Sequence, residues 1–302
     1  MRQTVALLVA CFLATDSLTT SLQAKLIAAD DFDYADACLT AGLNGGSGWL
    51  DAWTGENFIT VGSLRFAPLP ARGHKLTTSP APGREATKCS YRTISAKDND
   101  DLVEEGKFGR DGTTIWLGFL VNAPTGLSTG YGGLSLYNDD RQQVFLGDTG
   151  ASDVYAIERT GQLQRFTTVR ADAVIHFIIC RLTFQAGDDK IDIWIDPARG
   201  SADPKEDSIA ASAVVRDFRF NRIRLCSAPV PLNFDNLRLA TKFADLAGRD
   251  DRSSPVVISR INMGWGRLLA LGLILAVIGA ALMLILLWAF SWKKRREPPL
   301  VR

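Results

Sequence analysis

In the run KIDIWID, Asp192 and Asp196 stand four residues apart, the nearest approach in this 302-residue chain to a catalytic carboxylate pair. On an extended strand that spacing is about 13 Å, at roughly 3.3 Å per residue. A retaining glycosidase needs its carboxyls about 5–5.5 Å apart and an inverting one about 6.5–9.5 Å. The two aspartates are therefore expected on a solvated, inert face. His74 lies in a basic loop (PARGHKL) and His176 at the start of an apolar run, and neither has a Ser or Cys motif beside it. A nucleophile–base pair is not legible.

The stretch GLNGGSGWLDAWTG, Gly42 to Gly55, is the other place where residue types suggest chemistry. A phosphate loop would need a Lys after its glycines, and a dinucleotide loop would need a glycine where Asp51 stands. Both are excluded, so the glycines are read as making tight turns. Trp49 and Trp53 share a face of an extended chain, where they either pack together or offer a platform for a sugar ring. Trp194, in KIDIWID, is the third candidate for ligand contact.

The elements around these residues are β-strands. Short apolar runs bounded by turn residues occupy Thr113 to Val121, Gly133 to Tyr137, Gln143 to Leu146 and Val154 to Glu158. Others lie at Val174 to Phe184, Lys190 to Asp196, Arg219 to Cys226 and Phe234 to Ala240. Such spacing predicts an all-β sandwich or barrel. In KIDIWID, Ile191, Ile193 and Ile195 face one side, with Lys190, Asp192, Trp194 and Asp196 on the other, as in a half-buried strand. VIHFIICRLTF is apolar on both faces, so it is expected at the centre of a sheet. QAGDD, Gln185 to Asp189, is the expected hairpin turn between them.

Both ends read as targeting segments. Residues 1–24 have a charged start, an apolar run from Val5 to Ala14 and small residues at the expected cleavage point after Ala24, the layout of a signal peptide. Leu268 to Phe290 holds 23 residues without a charge. As a helix it would rise about 34 Å at about 1.5 Å per residue, enough for a hydrocarbon core of about 30 Å. Trp265, Trp288 and Trp292 flank it, and Lys293 to Arg296 follow, placing the C-terminus on the cytoplasmic side. The expected order is a signal peptide, an ectodomain over residues 30–246, a linker over 247–264, a span with flanks over 265–292 and a basic tail over 293–302. Without that tail the chain holds 29 basic and 32 acidic residues. An acidic body with no basic stripe argues against nucleic-acid partners.

Four cysteines follow the leader, on the side where disulfides persist. Cys38 and Cys89 both sit in loop-like N-terminal sequence and are the first pair expected. Cys180 is expected either to bridge to Cys226 or to stay a buried thiol.

Four segments in order carry a resemblance: DDFDYADACLTAGLNGGSGWLDAWTG, DGTTIWLGFLV, HFIICRLTFQAGDDKIDIWIDP, and FNRIRL with NFDNLRLATKFADL. Together they resemble the concanavalin A-like (LamG-like) jelly-roll domains of bacterial exported proteins, over residues 30–246. The resemblance implies a two-sheet antiparallel jelly-roll sandwich. It leaves activity open, because the fold serves lectins, glycosidases and adhesion modules. One hydrolase branch carries Glu-x-Asp-x-x-Glu on a strand, and here Lys190 stands at the first Glu and no second Glu follows. Domains of this type often bind calcium through oxygen-rich loops, which makes Asp98, Asp100, Asp139 and Asp140 candidates beside the plainer reading of solvated loops. The function expected is a membrane-anchored, non-catalytic binding or adhesion module for a glycan or a surface protein. The alternatives are a structural envelope protein without a small ligand and a divergent carbohydrate-active enzyme.

Overall fold

The computed structural model describes residues 25–246 apart from 36–37, 68, 80–87, 127–129, 161–162 and 199–202. The expected leader, linker, apolar span and basic tail lie outside the described residues. Among those described, no helix is long and apolar enough to cross a membrane.

Seventeen strands are described. The first seven are short: β1 (Leu26–Asp30), β2 (Thr54–Gly55), β3 (Phe58–Val61), β4 (His74–Thr77), β5 (Cys89–Thr93), β6 (Val103–Glu104) and β7 (Lys107–Phe108). The middle of the chain forms β8 (Thr114–Asn122), β9 (Tyr131–Asn138), β10 (Arg141–Asp148), β11 (Val154–Arg159) and β12 (Leu163–Arg170). Then come β13 (His176–Thr183), β14 (Asp189–Ile195), β15 (Ala211–Val215), β16 (Arg222–Ala228) and β17 (Asn233–Ala240).

They form two sheets in which every pairing is antiparallel. Sheet I runs β15-β14-β13-β8-β17-β4-β3, with β1 also on β17. Sheet II runs β12-β11-β10-β9-β16-β5-β2, and β6 pairs with β7 as a separate hairpin. The chain crosses between sheets repeatedly, so hairpin neighbours in sequence stay together while β16 and β17 insert beside distant partners. Period-2 alternation does the sorting: Ile178, Cys180 and Leu182 of β13, Leu134 and Leu136 of β9, and Ile223 and Leu225 of β16 all enter one apolar layer between the sheets.

The eight runs read from the sequence are β8 to β11, β13, β14, β16 and β17. The VIHFIICRLTF strand sits centrally, between β14 and β8. Gly187, at φ 104°, lies in the hairpin turn that follows.

Two expectations are corrected. The face of β14 that carries Asp192 and Trp194 is not solvated, since both residues are fully buried. A second apolar cluster, including Leu64, Leu69, Trp116, Phe177 and Phe243, covers that outer side of sheet I. Trp194 packs on Trp116 at 5.6 Å and donates its indole N–H to the Lys205 carbonyl. The disulfide is Cys89–Cys226, not Cys38–Cys89, and Cys38 and Cys180 are free thiols. Cys89 and Cys226 are register partners on adjacent strands, with Cα atoms 4.6 Å apart. Neighbourhood in sequence says nothing of this, because β5 and β16 are 137 residues apart at that bridge.

The glycine-rich stretch threads the N-terminal edge of the sandwich. Gly46 and Gly48 both have positive φ, and a Cβ at either would strike the β1 backbone, 2.2 Å from Ala29 O and 1.9 Å from Ile27 O. Only glycine allows that approach. Below it lies a buried polar centre: the Asp30 carboxylate accepts from the Phe32 N–H, Tyr34 O–H, Trp53 Nε1–H and Arg92 Nη1–H at 2.6 to 2.9 Å.

Candidate functional site

The outer face of sheet II carries a cluster of aromatic and guanidinium groups. It is generated by alternation alone. On β9, Leu134 and Leu136 enter the core, so Tyr131, Gly133, Ser135 and Tyr137 project from the opposite face. On β16, Ile223 and Leu225 point in, and Arg222 and Arg224 point out. Tyr91 on β5 and Phe145 on β10 complete the patch, through the register Tyr91↔Arg224 and Phe145↔Ser135.

Arg224 is its centre. Its Nη2 donates to Tyr131 Oη at 2.7 Å, Gln142 Oε1 at 2.8 Å and Ser135 Oγ at 3.1 Å. Its guanidinium lies over the Tyr137 ring at 5.2 Å, and Arg222 lies over Tyr91 at 4.5 Å. The Tyr91 and Tyr137 rings meet edge to face at 5.7 Å. Burial opposes the Arg224 charge, but the surrounding tyrosines outweigh it and its pKa rises. Burial pushes Tyr137 up to about 12, so it stays a neutral phenol.

Beside this centre, Tyr131 stacks flat on Phe145, at 4.7 Å and 15°. The Phe145 ring covers Gly147, where an added Cβ would lie 2.8 Å from its Cζ. Tyr91, Tyr131, Arg222 and Arg224 are half-buried, and Phe166 on β12 is 45% exposed. Glu158 faces outward too, held by the Gln164 amide at 2.8 Å. The arrangement can present ring faces and fixed planar donors to a ligand, which is how sugars and other polyols are bound.

The patch continues into a groove of about 870 Å³ lined by Lys107, Asn138, Asp139, Asp140, Arg141, Gln142, Gln143, Arg159, Thr160 and Arg216. Gln142 joins the two, accepting from Arg224 while donating to Thr160 Oγ1 at 3.2 Å.

The residues singled out from sequence fall elsewhere or serve other roles. Trp53 is buried against Asp30, so it cannot meet a ligand, and Trp194 is buried under sheet I's outer cluster. Trp49 is half-buried, 6.0 Å from Trp53 and beneath Arg92 at 5.0 Å. It lines a smaller pocket of about 330 Å³ with Gly48, Asp98 and Asn99. Asp100 is exposed in the turn that follows. Asp139 and Asp140 lie in the larger groove, tied to Lys107 at 2.9 Å and Arg222 at 3.2 Å. The hydrogen bond from Lys107 holds the Asp139 carboxyl below its ordinary pKa. Among the described residues, no three His, Cys, Asp or Glu side chains are grouped to hold a metal ion.

Asp192 is clamped by Ser212 Oγ at 2.6 Å, Arg181 Nη2 at 2.7 Å and Lys190 Nζ at 3.0 Å. Burial raises its pKa, but those donors outweigh it and hold the carboxyl ionised. Asp196 accepts from the Phe177 N–H at 2.7 Å and lies 2.7 Å from His176 Nδ1. Sequence reading missed Tyr91, Tyr131, Tyr137, Arg222 and Arg224. The signal was present as alternation in YGGLSLYN and RIRLC, whose non-apolar positions share one face.

No protein-family model matches the sequence, and no curated protein matches it either. Among solved structures, the chain is similar to an endo-1,3-beta-glucanase from Streptomyces sioyaensis, at 10% identity and TM-score 0.41, over 72% of this chain and 96% of that one. It is also similar to the botulinum neurotoxin serotype C1 binding domain, at 10% identity and TM-score 0.41, over 70% of this chain and 50% of that one. The CBM2 module of the evolved Dit of Lactobacillus casei BL23 phage J-1 matches at 10% identity and TM-score 0.38, over 72% and 96%. The chain thus spans about half the length of the neurotoxin binding domain it matches. These are distant likenesses of shape alone.

Proposed function

We propose that this chain is a non-catalytic glycan-binding module of the concanavalin A-like jelly-roll type, exported and held at a membrane by its C-terminal apolar run. The observation that carries the reading is the Arg224 network with Tyr131, Ser135 and Gln142, where the half-buried rings of Tyr91 and Tyr131 are held in place by the buried rings of Tyr137 and Phe145. Planar donors held rigid beside aromatic faces lose little entropy when a sugar docks. A non-catalytic role is supported by the carboxylates: Asp192 is locked under a covered face, and Glu158 on the proposed binding face is held by the Gln164 amide.

The test is a glycan array probed with the purified full-length chain. Tyr91→Ala and Tyr131→Ala are expected to lower binding of any retained glycan at least tenfold. Silence of the folded wild type across the array would instead favour a structural envelope role. Anchoring is tested separately: alkaline carbonate should leave the full-length chain in the membrane pellet, and its release would overturn the membrane reading.

A further inference from the structure

The groove adjoining the Arg224 platform has a charge that its surroundings do not explain. Four of its lining residues are cationic, and two are acidic. Both acids are already used, Asp139 by Lys107 and Asn221, and Asp140 by Arg222 from the platform side. Among the described residues, Arg141, Arg159 and Arg216 have no carboxylate within ion-pair distance. Arg159 is anchored through Nη1 to the Gln143 carbonyl at 2.6 Å and rests over Phe218 at 5.7 Å, while its buried Nε–H has no acceptor. Burial, and after it repulsion from Arg216, lowers its pKa, against the weaker attraction of Asp189 and Asp217, so two like charges are held near one another with partial compensation. An anion seated in the groove offsets that repulsion and accepts from the guanidinium groups that line it.

We infer that this groove seats the acidic groups of an anionic polysaccharide, carboxylate or sulfate, with Arg141, Arg159 and Arg216 as the specificity determinants. The inference rests on the reading of sheet II as a glycan-binding face and names the class of glycan. Guanidinium groups suit it, because their planar forks match carboxylate and sulfate oxygens in pairs. Continuity through Gln142 and Thr160 lets one chain lie across the aromatic platform and dip its charged groups into the groove. A polysaccharide is favoured over a nucleic acid because, without the tail, the chain holds 29 basic and 32 acidic residues.

The experiment measures binding of the full-length chain to polygalacturonate, a sulfated galactan, neutral β-1,3-glucan and phosphatidylglycerol vesicles. Wild type should bind at least one acidic polymer tenfold or more tighter than the neutral glucan. The tighter of the two acidic polymers identifies the anionic group. Arg141 and Arg216 are exposed, so Arg141→Gln/Arg216→Gln should fold with an unchanged melting temperature and lose at least tenfold in that affinity. Arg159→Gln provides the second variant. Equal binding of acidic and neutral polymers, full retention by the double variant, or equally tight binding to the anionic vesicles would each overturn the inference. If Tyr91→Ala abolishes glycan binding while the groove variant keeps its preference, the glycan reading stands and the acidic specificity falls.

Discussion

At the scale of single residues, two buried carboxylates are satisfied in different ways. Asp30 is paired with Arg92 at 2.6 Å, both fully buried. Burial pushes the Asp30 pKa up, while its four donors work against that. Removing one partner of a buried pair leaves the other uncompensated, at about 3–5 kcal/mol. Asp30→Asn and Arg92→Met should each lower unfolding free energy by that order in urea, and the double variant by less than their sum. Strict additivity would show that the two charges are not coupled. Among the described residues no basic side chain lies within ion-pair distance of Asp235: Ser63 Oγ–H, Leu64 N–H and Asn236 N–H reach it, and burial still pushes it up to about 7. An unfolded Asp titrates near 3.9, roughly, so the folded state holds this proton more tightly. Its contribution to stability is full below about pH 4 and is lost as pH rises through about 7. Asp148, pushed up to about 6 by burial, acts with the same sign. Asp235→Asn should therefore shrink the fall in urea midpoint between pH 5 and pH 8; an unaltered fall would place the titration elsewhere.

At the scale of elements, short apolar runs located the long strands except β12, and pairing Cys38 with Cys89 because both lie in loop-like N-terminal sequence misplaced the covalent link. The bridge joins β5 to β16 and closes a separation of 137 residues. Losing such a bridge costs about 2–5 kcal/mol, so C89S/C226S should unfold at clearly lower urea, and peptide mapping without reductant should recover Cys89 linked to Cys226. The two free thiols differ in reach. Cys38 is half-buried, with its Sγ 2.9 Å from the Ala35 carbonyl oxygen. Cys180 is in the core, where burial pushes its pKa far up. An alkylating reagent should label Cys38 in the folded protein and Cys180 only after unfolding; native labelling of Cys180 would contradict its place between the sheets. β14 shows where local reading stops. Its Ile-alternation was legible, and the burial of its other face was not, because Trp116, which packs on Trp194, and Phe243, which packs on Trp116, come from distant sequence.

At the scale of the whole molecule, the β-sandwich has two outer faces with different fates. Sheet I is capped by a second apolar cluster, whereas sheet II leaves tyrosines and arginines partly open beside a cationic groove. That asymmetry predicts that substitutions on the outer side of sheet I act on stability and those on sheet II act on binding. Trp194→Ala should lower the melting temperature, while Arg141→Gln should leave it unchanged; a binding loss from Trp194→Ala at full stability would refute the division. By itself, the sequence determined the all-β class, eight of the nine described strands of six or more residues (β12 was missed) and the turn-making role of Gly46 and Gly48, because period-2 alternation and positive φ are local properties of the chain. Only the tertiary structure decided which cysteines join, which tryptophans are covered and where arginine meets tyrosine. Each of those depends on which strands become neighbours across the sheet, a matter of long-range pairing that no local pattern encodes.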